Sequence, residues 1–388
     1  MGKRKGSRLL ALCLALLLVG LLLPLNTRAD GPPEISATAA AVMELSTGRL
    51  LYGKNEDAAL PMASTTKIMT ALLTLEAGDL DSVFTVSSGA IQVEGTSMGL
   101  QKGDQVTLRT LACGMLLSSG NDAAGAAAVR IAGSLSEFAE LMNRRAVQLG
   151  MTDSSFVTPS GLDAEGHYST AADMARLACA ALQNEDFRAI CSQSSMKVSF
   201  GNPPSDRWLQ NHNKLLESYE GCIGVKTGFT KLAGRCLVSA AERDGVTLVC
   251  VTLKDPNDWE DHQALLDWGF DQLERVELEA DLSDVTLPVT GGYLQQVPVY
   301  QEKKLSLVLP TGEGKALRQV LYLPRFAYAP VRAGETVGEV RWYLGEGENK
   351  RLCASAPLLA GSTSEADLTL RPTLVWRIRG WLHRLFAG

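Results

Sequence analysis

A serine hydroxyl is a poor nucleophile until a neighbouring base takes its proton. Ser64-Thr65-Thr66-Lys67 supplies a hydroxyl and an amine at i and i+3, positions that share one face of a helix. A helix beginning at Ser64 also turns free backbone N–H groups and a positive dipole end toward a developing oxyanion. Ser119-Gly120-Asn121 adds a second hydroxyl and an amide. Ser119 is placed to relay a proton to a leaving group, and Asn121 either bonds a substrate amide or holds Lys67. Lys226-Thr227-Gly228 adds a cation for a carboxylate at the end of an apolar strand, where a glycine lets a peptide lie alongside as an extra strand. The Lys226 charge also disfavours a second cation on Lys67, and a neutral amine is what base chemistry near neutral pH requires. Together the three clusters describe acyl transfer through a serine ester.

The clusters differ in weight. A Ser-x-x-Lys pattern arises roughly once or twice by chance in a chain of this composition, and Ser194-Ser195-Met196-Lys197 is a second copy. That copy runs into Val198 and Phe200, a strand-like stretch, with no Ser-x-Asn before Lys226, and reads as a decoy. Lys-Thr-Gly arises only about a tenth of a time by chance. The ordered set of three is the signal.

The elements that must carry these residues can be read from periodicity and turn chemistry. Ala39–Leu45 and Arg49–Tyr52 read as a hairpin around Ser46-Thr47-Gly48. Helices are expected over Thr65–Glu76, Leu108–Ser118 and Asp122 to about Ala132. A further helix follows the capping-box pair Ser134 and Glu137, with Phe138, Leu141, Met142 and Leu149 on one face. Another covers Thr170–Leu182. Cys222–Thr227, Gly234–Glu242 and Val246–Thr252 read as adjacent strands, the last two joined by Asp244-Gly245. A helix from about Trp259 to Leu273 closes this region. The order implies an α+β fold, a sheet with an inserted helical lobe, over residues 34–273. Short strands with Gly and Pro turns over 277–360 imply a small all-β domain. Residues 371–388 form a cationic amphipathic helix suited to a membrane surface, with Leu374, Ile378, Trp381, Leu382 and Leu385 spaced along one face.

The 388 residues are 46% hydrophobic and 21% charged, with net charge −6. No global basic field draws such a chain to nucleic acid. Lys3, Arg4, Lys5 and Arg8 precede the apolar run Leu9–Leu23, and Thr27-Arg28-Ala29 follows. Residues 1–29 therefore read as an export signal cleaved after Ala29. The apolar run is shorter than the ~20 residues of a spanning helix. Of eight cysteines, the seven beyond the signal are scattered and lack a C-x-x-C pair, which argues against a metal site and a disulfide framework and leaves one bridge open.

With its surroundings, each cluster resembles the low-molecular-mass penicillin-binding proteins, the serine D-alanyl-D-alanine carboxypeptidases. The likeness rests on Pro61–Thr70, Leu116–Ala123 and Gly224–Thr230, and on Gly161-Leu162-Asp163 and His167-Tyr168-Ser169-Thr170. It is strong over 34 to about 272 and looser beyond. The resemblance implies a β-lactamase/transpeptidase-like domain in which Ser64 forms the acyl-enzyme, Lys67 is the base and Ser119 completes the proton path. It implies that Lys226 and Thr227 hold the substrate carboxylate, and that the backbone N–H groups of Ser64 and Phe229 form the oxyanion hole. The implied substrate is the peptidoglycan stem peptide, the implied inhibitors are β-lactams, and no cofactor is implied. A class A β-lactamase shares the three clusters but needs a deacylating glutamate, for which Glu165 lies in the right region. A non-catalytic receptor for wall peptide or β-lactam, and a transpeptidase using an amine in place of water, are the other readings.

Overall fold

The computed structural model describes residues 31–345, 347 and 350–370. The expected export signal at 1–29 and the expected amphipathic helix at 371–388 lie outside the described residues.

Runs rich in Ala, Val, Leu and Cys build a five-stranded sheet in the order Leu50–Lys54, Ala39–Glu44, Val246–Leu253, Gly234–Arg243, Cys222–Thr230. Every pairing is antiparallel. Ala39–Glu44 is buried at all of its positions, as a central strand covered by helices must be. Asp244 and Gly245 both take positive φ, 50° and 73°, which a two-residue hairpin turn requires. Helices Ala171–Leu182 and Asp258–Asp271 pack on this sheet. Cys222–Thr230 is left as an edge strand.

The helical lobe enters the chain between Leu50–Lys54 and Cys222–Thr230. At its centre lies the helix Lys67–Glu76, in which every residue except Glu76 is buried. A helix covered on all sides belongs in a core, and this one is wrapped by Leu108–Leu116, Asn121–Ala132 and Ala171–Leu182. The lobe helices are capped by their own sequence. The Thr107 hydroxyl accepts from Thr110 N–H at 3.1 Å, and Thr170 accepts from Asp173 N–H at 3.1 Å. Ser134 accepts from Glu137 N–H at 3.1 Å. The return half of that capping box differs from expectation: Glu137 takes the Ser134 hydroxyl, at 3.2 Å, instead of its backbone N–H.

Three boundaries depart from the sequence reading. Ala63–Thr66 is a 3-10 turn, so the α-helix starts at Lys67 rather than Thr65. The edge strand continues to Thr230, which puts Lys226 in mid-strand rather than at its end. Leu273 opens a strand, Leu273–Leu278, instead of closing the preceding helix, which ends at Asp271. Leu273 pairs there with Pro310, so tertiary pairing overrides a locally helical pattern.

Beyond Leu273 the described chain is mostly strand. A six-stranded sheet runs Arg318–Tyr322, Thr336–Leu344, Arg351–Ala360, Gln296–Gln301, Thr286–Thr290, Ala327–Tyr328. Thr286–Thr290 alternates exposed and buried residues, the mark of a sheet with one wet face. Two small cores form, around Leu287, Val297 and Val331 and around Val340, Trp342 and Leu358. The protein is thus α+β followed by an all-β region. The seven described cysteines are free thiols, five of them buried.

Candidate active site

Ser64 sits in the turn that leads into the central helix. The turn is held in an unusual shape: Ala63 has φ +47°, a region that costs a residue with a Cβ about 1 kcal/mol or more. Two threonines brace it. Thr65 Oγ1 donates to Met62 O at 2.6 Å and Thr66 Oγ1 to Ala63 O at 2.8 Å.

One helical turn on, Lys67 is completely buried. Its Nζ lies 2.9 Å from Ser64 Oγ and donates to Ser160 O at 2.6 Å. Burial drives the Lys67 pKa well below that of an ordinary lysine, the nearby Lys226 charge lowers it further, and Asp122 opposes the shift. Desolvation penalises the ammonium form, so this amine is poised to be neutral and to accept a proton.

The carbonyl that holds Lys67 belongs to the loop between Val157 and His167. This loop is tied down at several points. Thr70 Oγ1 donates to Pro159 O at 2.7 Å, and Thr230 Oγ1 to Asp163 Oδ1 at 2.9 Å. Gly161 packs so closely on the nucleophile turn that a Cβ there would lie 1.9 Å from Ala63 O. His167 is buried, accepts from Val157 N–H through Nδ1 at 3.0 Å and meets Thr66 Oγ1 through Nε2 at 3.0 Å. Burial lowers its pKa to about 4.

Ser119 and Asn121 come to the same place from the break between two helices. Ser119 is buried with φ +57°, and its carbonyl accepts from Thr96 Oγ1 at 2.7 Å. Asn121 Nδ2 donates to Glu94 O at 2.6 Å, while its buried Oδ1 has no protein partner. Asn121 therefore does not hold Lys67; the Ser160 carbonyl does. Asp122 anchors the segment opposite. Its carboxylate accepts from Ser97 Oγ at 2.6 Å and from the N–H groups of Met98, Gly99 and Leu100 at 2.9, 3.0 and 2.9 Å.

The edge strand closes the site. A Cβ on Gly228 would lie 3.0 Å from the backbone nitrogens of both Ser64 and Thr65, so only glycine lets strand and nucleophile turn approach this closely. Lys226 is buried and donates to Thr227 O at 2.8 Å, and burial lowers its pKa to about 7. Phe229 is 66% exposed. Ser64, Ser119, Thr227, Gly228 and Phe229 line one cleft of about 440 Å³. Arg235, Asp258 and Trp259 form its far wall. Arg235 pairs with Asp258 and lies over the Trp259 ring, 5.6 Å from its centroid. The Arg235 Nε is buried without a protein partner.

Of the eight sequence-derived residues, Ser64, Ser119, Thr227, Gly228 and Phe229 line this cleft and Lys67 lies against Ser64, while Asn121 and Lys226 are buried and outside its lining. Lys226 is buried, near enough to Lys67 for its charge to lower that amine's pKa, and Arg235, a cation that sequence reasoning missed, lines the cleft. Its only signal was an arginine at the start of an otherwise apolar strand. Ser160 was also missed, because a backbone carbonyl has no residue signature. The second Ser-x-x-Lys copy lies elsewhere: Lys197 is on a surface strand, paired with Asp206 at 2.7 Å. Glu165 is exposed on its loop and does not line the cleft.

Residues 26–257 match the family model for D-alanyl-D-alanine carboxypeptidase, and residues 278–366 match that for the C-terminal domain of penicillin-binding protein 5. The D-alanyl-D-alanine carboxypeptidase DacF of Bacillus subtilis is 32% identical over 78% of this chain and 80% of its own. Among solved structures, the D-alanyl-D-alanine carboxypeptidase DacD from Francisella tularensis superposes with a TM-score of 0.63 at 27% identity, covering 90% of this chain and 98% of that one. The Streptomyces K15 DD-transpeptidase gives a TM-score of 0.59 at 32% identity, covering 62% of this chain and 99% of that one.

Proposed function

The chain belongs to the D-alanyl-D-alanine carboxypeptidase family and is a serine-type member of it, and from that premise we propose that Ser64 is its nucleophile and Lys67 its base. The observation that carries this reading is the buried Lys67 amine 2.9 Å from Ser64 Oγ, with the Ser160 carbonyl taking one of its N–H groups. A neutral amine so placed has its lone pair free for the hydroxyl proton.

Ser64 Oγ attacks the carbonyl of the penultimate D-alanine as its proton passes to Lys67. The oxyanion forms beside the N–H groups of Ser64 and Phe229, which the close approach of Gly228 brings together. The C–N bond then breaks, and the leaving D-alanine takes its proton by way of Ser119. Water hydrolyses the ester with Lys67 again as base. The unpartnered Asn121 Oδ1 is available to accept a substrate amide N–H. Thr227 and the cleft-facing Arg235 receive the terminal carboxylate, while the buried Lys226 acts on Lys67 through its charge. The exposed position of Glu165 disfavours a deacylating role and so a β-lactamase.

The substrate in this reading is a peptidoglycan stem pentapeptide, and β-lactams acylate the same serine. Residues 1–29 direct export, 34–273 carry catalysis, 277–360 form the β-rich domain and 371–388 contact the membrane. The test is release of D-alanine from a D-Ala-D-Ala pentapeptide, followed by mass spectrometry. Stoichiometric loss of one D-alanine per peptide, abolished in Ser64→Ala, is expected. Turnover persisting in that variant would overturn the assignment.

A further inference from the structure

At one end of the β-rich domain three chain segments meet. Tyr293 N–H donates to Glu365 O at 3.0 Å, and Leu294 N–H to Ser364 Oγ at 3.2 Å. Tyr328 pairs with Thr290, and Asp367 N–H donates to Gly291 O at 2.8 Å. These backbone ties gather five large apolar side chains that remain in water. Tyr328 is 73% exposed, Tyr293 64%, Leu368 58%, Phe326 46% and Leu294 44%. The Phe326 and Tyr328 rings meet edge to face at 5.3 Å. Single exposed apolar residues are ordinary; a gathered set marks an interaction surface.

The place of this surface in the fold indicates what meets it. The strand Arg351–Ala360 begins beside the catalytic region, where Arg351, Leu352 and Cys353 share a groove with Glu44, Thr47 and Arg49. It ends where Ala360 pairs with Val299, next to Ser364 and the apolar set. Ten strand residues rise about 3.3 Å each, so the set lies roughly 30 Å from that groove. The described chain ends beside it, at the 3-10 turn Leu368–Leu370. Eighteen residues follow, 371–388, and they include Arg371, Arg377, Arg379 and Arg384 among Leu374, Ile378, Trp381, Leu382 and Leu385. A cationic amphipathic tail and an aromatic end therefore emerge at the same pole of the molecule, away from the active site.

We propose that this aromatic end is a second membrane-docking surface, in which Tyr293, Leu294, Phe326, Tyr328 and Leu368 seat in the headgroup region of an anionic bilayer. Tyrosine suits that layer because its ring is apolar and its hydroxyl stays wet. One short amphipathic helix binds a membrane reversibly, and a second contact on the same rigid domain multiplies the affinity by effective concentration. The proposal rests on the membrane reading of the tail and adds folded-domain residues to it.

The test is co-sedimentation of the chain from residue 30 with sucrose-loaded vesicles of phosphatidylglycerol and phosphatidylethanolamine. The variant Phe326→Ser/Tyr328→Ser/Leu368→Ser retains the tail. It is expected to partition at least about tenfold more weakly, with D-alanine release from a soluble pentapeptide unchanged. Should the triple variant misfold, Tyr328→Ser alone is expected to weaken partition about threefold. Equal partition of a folded variant and parent overturns the proposal and leaves the tail reading standing. Stronger partition of the variant also overturns it, because the tail would then have been covering these residues. A parent chain that stays with the supernatant sinks the tail reading and the proposal together.

Discussion

Stripping water from an amine costs its charged form more than its neutral form, and in this site that cost is put to use. Lys67 is lowered first by burial and second by the Lys226 charge. Acylation rises with pH as Lys67 loses its proton, so anything that raises the Lys67 pKa moves the acid limb upward. Lys226→Met removes the second cause and leaves the first. Its acid limb for penicillin acylation is expected at higher pH than in the parent. A limb that stays in place or moves down contradicts the assigned coupling. In the proposed mechanism Arg235 acts at the other end of the substrate. Arg235→Leu removes a charge-assisted contact of about 2 kcal/mol, roughly thirtyfold in KM for a peptide acid. The KM of the matching peptide amide is expected to stay unchanged, and an equal effect on both peptides would show that Arg235 does not read the carboxylate. Ser64, Lys67, Ser119 and Thr227 were legible because the proposed chemistry assigns roles to their side chains. The burial of Lys226 was not, because it is set by the packing around the strand.

At the scale of elements, the loop from Val157 to His167 governs the site more than any helix cap does. Its Ser160 carbonyl holds the base, its Gly161 lies on Ala63, and its His167 ties both to Thr66. Because Nδ1 accepts from Val157 N–H, the ring proton is on Nε2 and donates to Thr66 Oγ1, whose hydroxyl donates to Ala63 O. A second ring proton would point at the Val157 donor. The His167 pKa is about 4 in the fold, against 6.5 for an unperturbed histidine, because burial outweighs the opposing Asp163 charge. Between those values the unfolded chain binds more protons. The His167 contribution is thus complete above about pH 6.5 and is lost as pH falls toward 4, up to about 3 kcal/mol. His262 is lowered in the same direction, to about 3, so the comparison must be with His167→Gln. The variant is expected to lose less stability than the parent between those pH values in denaturant titrations, and parallel losses would contradict the buried neutral ring. Sequence periodicity found the helices that frame this loop. It could not find the loop's function, which resides in a backbone carbonyl and in contacts across about a hundred residues of chain.

At the scale of the whole molecule, an inserted helical lobe and a sheet edge meet to make one cleft, and an all-β region follows in the chain. Short apolar runs separated by Gly and Pro turns made the β-rich region readable, and the strands Gln296–Gln301, Leu305–Pro310 and Thr336–Leu344 lie in it. The crossing from helix to strand at Leu273 was misread because its partner, Pro310, is remote in sequence. The central claim remains local: one hydroxyl, activated by one buried amine. It is tested most directly by digesting the penicillin-treated protein and locating the adduct by mass. The adduct is expected on Ser64 in the parent and to form on the order of 10³-fold more slowly in folded Lys67→Ala. An adduct on any other residue, or near-normal labelling of Lys67→Ala, would contradict it.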